Sequence, residues 1–168
     1  QNATLKHLCD PKKKVCIKRI HKKDNEYVPY EEIDTSTMYA LSEFLLQPDN
    51  PIIQNIAQQV AEKLSTPIGG TARYQNDFYM KVPGDYPGNP WIITTMWLAQ
   101  YYIKAASSQE EMKKAMSLIF WATDRALSTG VLAEQFNPYT GEALSACPLA
   151  WSSAAFVETV LKYEEKMK

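Results

Sequence analysis

The chain has 168 residues, with 18 Lys and Arg against 19 Asp and Glu and a formal net charge of -1. Hydrophobic residues make up 45% and charged residues 22%; this excludes a disordered chain and a generally basic nucleic-acid binder, and the length suits one domain. No apolar run approaches the roughly 18 residues of a membrane span, and three cysteines are too few for a disulfide scaffold and leave at least one thiol unpaired.

Gln1 is followed by no apolar leader, so the start reads as that of a processed protein or a piece of a longer one, with the compartment left open. Residues 1–23 carry eight basic side chains (Lys6, Lys12, Lys13, Lys14, Lys18, Arg19, Lys22, Lys23) against Asp10. This segment is +7 and the remainder -8. With Val15, Ile17 and Ile20 between the charges, residues 1–33 read as an extended basic arm. The first reading is a solvated strand or loop on a more acidic body, the second an anion-binding arm. Cys9 and Cys16 have no second pair nearby, and His7 and His21 fall among the charges, so no four-ligand zinc set forms.

From Asp34 onward the pattern is helical. Asp34 can cap a helix to about Gln47, with Met38, Leu41 and Leu45 on one stripe. Asn50-Pro51 opens a second helix, whose Ile52, Ile56, Val60 and Leu64 recur every four residues. Thr66 to Gly70 ends it. Residues 67–90 then form a long loop rich in Gly, Pro and Tyr, a kind of connection that is functional or disordered, and its aromatics argue against disorder. Asn89-Pro90 repeats the cap-plus-proline start. The helix from Trp91 to about Ala106 is apolar around most of its circumference and is expected to be buried on more than one side. Ser108 and Glu111 form a capping box for a helix toward Leu127, with Gly130 placed to stop it. A second long loop, 131–147, leads to a last helix from about Pro148 to Tyr163, with Cys147 read as a small core residue at its start. Amphipathic helices thus alternate with more apolar ones, a plan that suits two concentric helical layers with loops leading into the inner one.

The chain has no P-loop, dinucleotide fingerprint or HExxH motif. What remains is carboxylates among aromatics, the residue types that glycoside hydrolysis uses. Glu134 lies in an apolar approach within Val131–Glu142, just after a helix stop. Taken alone, a loop glutamate reads as a surface charge in most cases.

Three blocks change that reading. They are Ala72-Arg73-Tyr74-Gln75-Asn76-Asp77, then Gly88-Asn89-Pro90-Trp91-Ile92-Ile93-Thr94-Thr95, then Leu132-Ala133-Glu134-Gln135 through Asn137-Pro138-Tyr139-Thr140-Gly141 to Pro148-Leu149-Ala150-Trp151-Ser152. In order and spacing they resemble the C-terminal part of glycoside hydrolase family 15, the glucoamylase, glucodextranase and trehalase family. A weaker match is Asp34-Thr35-Ser36. The resemblance implies an all-α fold, about half of an (α/α)6 barrel over residues 34–168, with the upstream half absent.

It also implies an inverting mechanism in which Glu134 is the general base, and a substrate site that includes Arg73, Trp91, Gln135, Tyr74, Asp77 and Trp151. Arg73 would clamp sugar hydroxyls or, on the plainer reading, bridge to Asp77. Trp91 is read with equal weight as core, and Trp151 as core support behind Glu134. Gln135 would orient water or sugar, while Tyr74 and Asp77 shape the loop. Ser153 departs from the His or Tyr that family members often carry there. The family's general acid lies upstream of the base, and Glu31 and Glu32 lack its motif.

The expected partners are an α-glucan or oligosaccharide substrate and the missing N-terminal half of the barrel or a second copy, with no nucleic acid and no membrane. The mechanism implies no cofactor and no metal. The competing readings are a non-catalytic carbohydrate-binding module and a helical interaction module on the same fold. Within the enzymes, trehalase and glucodextranase are the alternatives.

Overall fold

The computed structural model describes residues 2–168. The N-terminal stretch starts as a helix, α1 (Asn2–Leu8), and continues as two hairpins rather than as one extended arm. The first hairpin pairs β1 (Cys9–Asp10) with β2 (Val15–Cys16), and a disulfide joins Cys9 to Cys16. The second pairs β3 (Arg19–Lys23) with β4 (Glu26–Tyr30), in the register Arg19 opposite Tyr30. Every residue of β3 is exposed, so charge repulsion along this strand is relieved by water.

Five helices follow: α2 (Thr35–Phe44), α3 (Pro51–Lys63), α4 (Ile92–Ala105), α5 (Gln109–Thr123) and α6 (Ala150–Met167). Their starts follow local chemistry. Asp34 Oδ1 accepts from the Ser36 and Thr37 amides, and Asn50 Oδ1 accepts from Ile52 at 2.9 Å ahead of Pro51. Ser108 Oγ accepts from the Glu111 amide, while the Glu111 carboxylate reaches back to the Ser107 amide at 2.6 Å. This is a capping box with its return bond shifted by one residue.

The α4 start differs from expectation. Its N-cap is Trp91, with no side-chain bond. Asn89 is turned inward instead, bracketing Met80, Val82 and Gln135.

Helix α4 is central. It packs against α2 and α6 on its flanks and against α3 and α5 behind, and ten of its residues are buried. Helices α2, α4 and α6 thus form an inner layer, with α3 and α5 outside it. One core cluster joins Met38, Ile53, Val60, Leu64 and Leu98. A second joins Ile92, Met96, Trp121, Leu132 and Phe136.

Two expectations about the core are corrected. Trp151 is 56% exposed. Helix α6 buries Ser152, Ala155 and Thr159, a stripe whose centre lies about 75° around the helix from residue 151. Cys147 is also exposed, because it precedes the helix in a loop and belongs to no packed face.

All three inner helices begin at the same end. The Thr35 amide donates to Arg73 O at 2.9 Å, Trp91 to Thr71 O at 3.1 Å, Ile92 to Glu134 O at 3.3 Å and Leu149 to Leu132 O at 2.9 Å. Isolated antiparallel bridges, Asp34 to Tyr74, Thr71 to Trp91 and Trp91 to Gln135, complete the lacing. The loops that hold Arg73 and Glu134 are therefore sewn to the inner-helix N-termini, where helix dipoles favour anionic groups.

Candidate active site

Arg73 leaves the laced segment and turns onto Asp77. Its Nε and Nη2 donate to the two carboxylate oxygens, each at 2.7 Å. Asp77 is 1% exposed and also accepts from the Tyr79 amide at 3.1 Å. Gly88 makes this possible, since a Cβ there would stand 2.7 Å from Asp77 Cβ. The guanidinium carbon lies 4.1 Å from the Trp91 ring centroid, 5.2 Å from Tyr79 and 5.3 Å from Tyr74. Burial alone would lower the guanidinium's proton affinity. The Asp77 hydrogen bonds and charge outweigh it, with help from Tyr74 and Glu134, and the net shift is upward. Nη1 takes no part in the Asp77 pair, and the side chain as a whole is partly exposed.

Glu134 shares this site: its charge is among those that act on Arg73. Its amide donates to Ala146 O at 2.9 Å and its carbonyl receives the first amide of α4. The side chain is half-buried, and its Oε2 accepts from the Ser145 hydroxyl. One residue on, β5 (Gln135–Phe136) pairs with β6 (Ala143–Leu144). Side chains alternate along such a segment. Gln135 accordingly goes inward: it is 0% exposed and its Oε1 accepts from Asn89 Nδ2 at 2.7 Å.

The structure thus brings Arg73, Asp77, Trp91, Tyr74 and Glu134 to one rim, with Gln135 directly beneath. The plainer reading of Arg73 is the one observed: its Nε and Nη2 are paired to Asp77. Trp91 is core, 3% exposed, and also the floor under Arg73. Trp151 stands apart from Arg73, edge-on to Trp97 at 6.2 Å, and Trp97 in turn stacks on Tyr39 at 4.5 Å.

Tyr79, Ser145 and Asn89 were not singled out as site residues. Tyr79 was visible as one of the tyrosines of the 67–90 loop, whereas Ser145 becomes a partner only when the 134–146 loop closes. A cavity of 460 Å³ lies elsewhere, between the arm and α2 and α3, lined by His7, Cys16, Ile33 and Ile56 among others. Among the described residues, no cluster of three His, Cys, Asp or Glu could hold a metal ion, and no helix is long and apolar enough to cross a membrane.

Comparison with known proteins places this site in context. The family model for glycosyl hydrolases family 15 matches residues 24–161. An uncharacterised glycosyl hydrolase of Methanocaldococcus jannaschii is 31% identical over 135 residues, covering 74% of this chain and 21% of that protein. A glucoamylase of Blastobotrys adeninivorans is 24% identical over 186 aligned positions, covering 84% of this chain and 29% of that protein. The chain therefore spans about a fifth to three tenths of the length of these curated relatives. Among solved structures, a bacterial glucoamylase complexed with acarbose superposes with a TM-score of 0.71 at 20% identity, over 90% of this chain and 25% of that one. The fold is all-α, part of an (α/α)6 barrel.

Proposed function

The chain belongs to glycosyl hydrolases family 15, and on that premise we propose that it supplies the C-terminal part of an inverting, glucoamylase-like hydrolase of α-glucosidic bonds with Glu134 as general base. One observation carries this reading. Glu134 is a half-buried carboxylate fixed by Ser145 at the start of an inner helix, beside the Arg73 guanidinium on which its charge acts. An inverting base needs a carboxylate that is ionised, fixed and within reach of water. In this role Glu134 takes a proton from water as that water attacks the anomeric carbon opposite the leaving group, and α-linked substrate yields β-glucose. Arg73 binds sugar hydroxyls through the donors that Asp77 leaves free. Tyr79, which is exposed, offers ring surface to the apolar side of a sugar, while Trp91 supports Arg73 from beneath.

The general acid stands upstream in the intact protein, about 6.5–9.5 Å from Glu134 in the closed site. A sugar-binding role without turnover is the second reading, favoured by a rim that keeps Arg73 and its aromatics independent of any acid. Trehalase and glucodextranase activities are the alternatives within the enzymes.

The test is incubation with maltotetraose, isomaltotriose and trehalose, with released glucose and its anomer followed by NMR. The full-length protein should release β-glucose from at least one substrate, and Glu134→Gln should cut that release by about 10²–10⁴-fold. The 168-residue chain alone should release none. Release of α-glucose, or release by the Glu134→Gln protein at the unsubstituted rate, overturns the assignment. Saturable binding of maltotetraose by the full-length protein without turnover establishes the second reading.

A further inference from the structure

We infer that Lys18, reaching from the N-terminal arm, is a positioning residue that sets the pose of Arg73 through Asp34 and Tyr74. The inference rests on the sugar-binding role proposed for Arg73. It concerns a residue outside the 24–161 stretch that matches the family.

Lys18 Nζ lies 2.7 Å from Asp34 Oδ2, with the two side chains 25% and 4% exposed. The other Asp34 oxygen is already committed to capping α2 through Ser36 and Thr37, so Lys18 is the cation that balances a buried carboxylate. The same Nζ stands over the Tyr74 ring, 3.9 Å from its centroid. Arg73 faces that ring too, at 5.3 Å. One aromatic ring thus receives two cations, and the lysine holds the closer place.

The backbone joins the same groups. Asp34 bridges Tyr74, and the Thr35 amide donates to Arg73 O at 2.9 Å. The Ile33–Gln75 pair adds two further bonds, Gln75 N to Ile33 O at 3.0 Å and Ile33 N to Gln75 Oε1 at 2.9 Å. A shift of Asp34 or Tyr74 is therefore passed to the guanidinium that meets the sugar.

Lys18 itself has a fixed origin. It follows the hairpin closed by Cys9–Cys16, which is held by Ile17 N to Leu8 O at 2.8 Å and by Asn55 Nδ2 to Lys14 O at 2.8 Å. A short closed hairpin docked on α3 delivers the ammonium with little freedom left to lose. An ammonium over a partly desolvated ring is also a directional contact, weak in water and stronger under cover.

The experiment uses the full-length protein and its Lys18→Gln, Lys18→Arg and Tyr74→Leu variants, each shown to be folded by circular dichroism. Gln keeps a donor for Asp34 while removing the cation from the ring. Arg keeps both. The readout is the Arg73 Nε–H resonance by NMR, its shift and its solvent exchange, followed by titration with maltotetraose.

In Lys18→Gln the resonance should move and exchange about tenfold faster, and maltotetraose affinity should fall about threefold to tenfold. Lys18→Arg should restore both, which a merely structural loss would not require. Tyr74→Leu should disturb the resonance even with Lys18 intact. An unchanged Arg73 resonance in folded Lys18→Gln, or in folded Tyr74→Leu should Lys18→Gln not fold, overturns the proposal. If no protein, wild type included, binds maltotetraose while the resonance still responds to Lys18→Gln, the coupling is supported and the sugar assignment is rejected.

Discussion

Arg73 and Asp77 share two hydrogen bonds of 2.7 Å, yet they are unequally placed: the arginine side chain is 30% exposed and the carboxylate 1%. The pair is therefore asymmetric under mutation. Removing the arginine strands a buried charge, whereas removing the charge of Asp77 leaves a guanidinium that can turn toward water. We expect Arg73→Met to cost about 2–4 kcal/mol and Asp77→Asn about 1–2 kcal/mol, since breaking a buried pair is expensive in proportion to the burial of the partner left behind. Urea unfolding of the two variants checks the order.

Glu134 has the opposite profile. Its side chain is half-buried with Ser145 as hydrogen-bond partner, so Glu134→Gln should change stability by less than about 1 kcal/mol. Glucose release by the full-length enzyme should fall by about 10²–10⁴-fold, the usual contribution of a general base. Parallel urea titrations and NMR assays of released glucose separate the two effects.

Two glycines should respond alike in stability and differently in function. An added Cβ at Gly88 meets Asp77 Cβ at 2.7 Å, and one at Gly70 meets the Trp121 ring at 2.4 Å, where φ is also +74°. Either substitution to Ala should cost about 1–3 kcal/mol through overpacking. Only Gly88→Ala should also weaken maltotetraose binding, because it displaces the carboxylate that holds Arg73. Thermal unfolding and sugar titration give the two axes.

Lys162 should shape the alkaline limb of stability. It bonds Glu158 at 3.0 Å, and Glu43 and Gln100 Oε1 at 3.2 Å each. Burial alone would lower its proton affinity, but the two carboxylates outweigh burial and the net shift is upward. A group that holds its proton more tightly when folded stabilises below its unfolded pKa. That contribution is lost as pH rises through the folded value. Lys162→Met should therefore lower stability near neutrality and flatten the fall above about pH 10. Tyr101 and Tyr102, also shifted upward by burial, should keep part of that fall in place. Urea unfolding in steps across the alkaline range measures the difference in slope.

Much of the helical plan was legible because its signals are local. The Asn50-Pro51 start and the fourfold spacing behind it became Pro51–Lys63, and the capping box at Ser108 opened α5. The failures are non-local. Asn89 has the chemistry of a cap, but it satisfies two groups of a folded-back loop, Met80 O and Val82 N, and Gln135 instead, and Trp91 starts the helix. The Cys9–Cys16 bond needed the turn between them, and no periodicity announces that turn. Trp151 is read as core support behind Glu134 by its likeness to Trp91, yet α6 packs through the small residues beside it. At the site, the Arg73–Asp77 pair was the plainer of the two readings of Arg73. The positions of Tyr79, Ser145 and Lys18 depend on how separate loops close over one another.

The opposed directions of Glu134 and Gln135 also set what mutation can reach. The residue that would carry the chemistry holds up little of the architecture, and its neighbour, fully enclosed and bonded to Asn89, has the reverse burden. In the role proposed for Glu134, a single codon change at position 134 would silence turnover and leave the fold and the Arg73 rim in place. A change at position 135 is screened first by whether the chain folds at all.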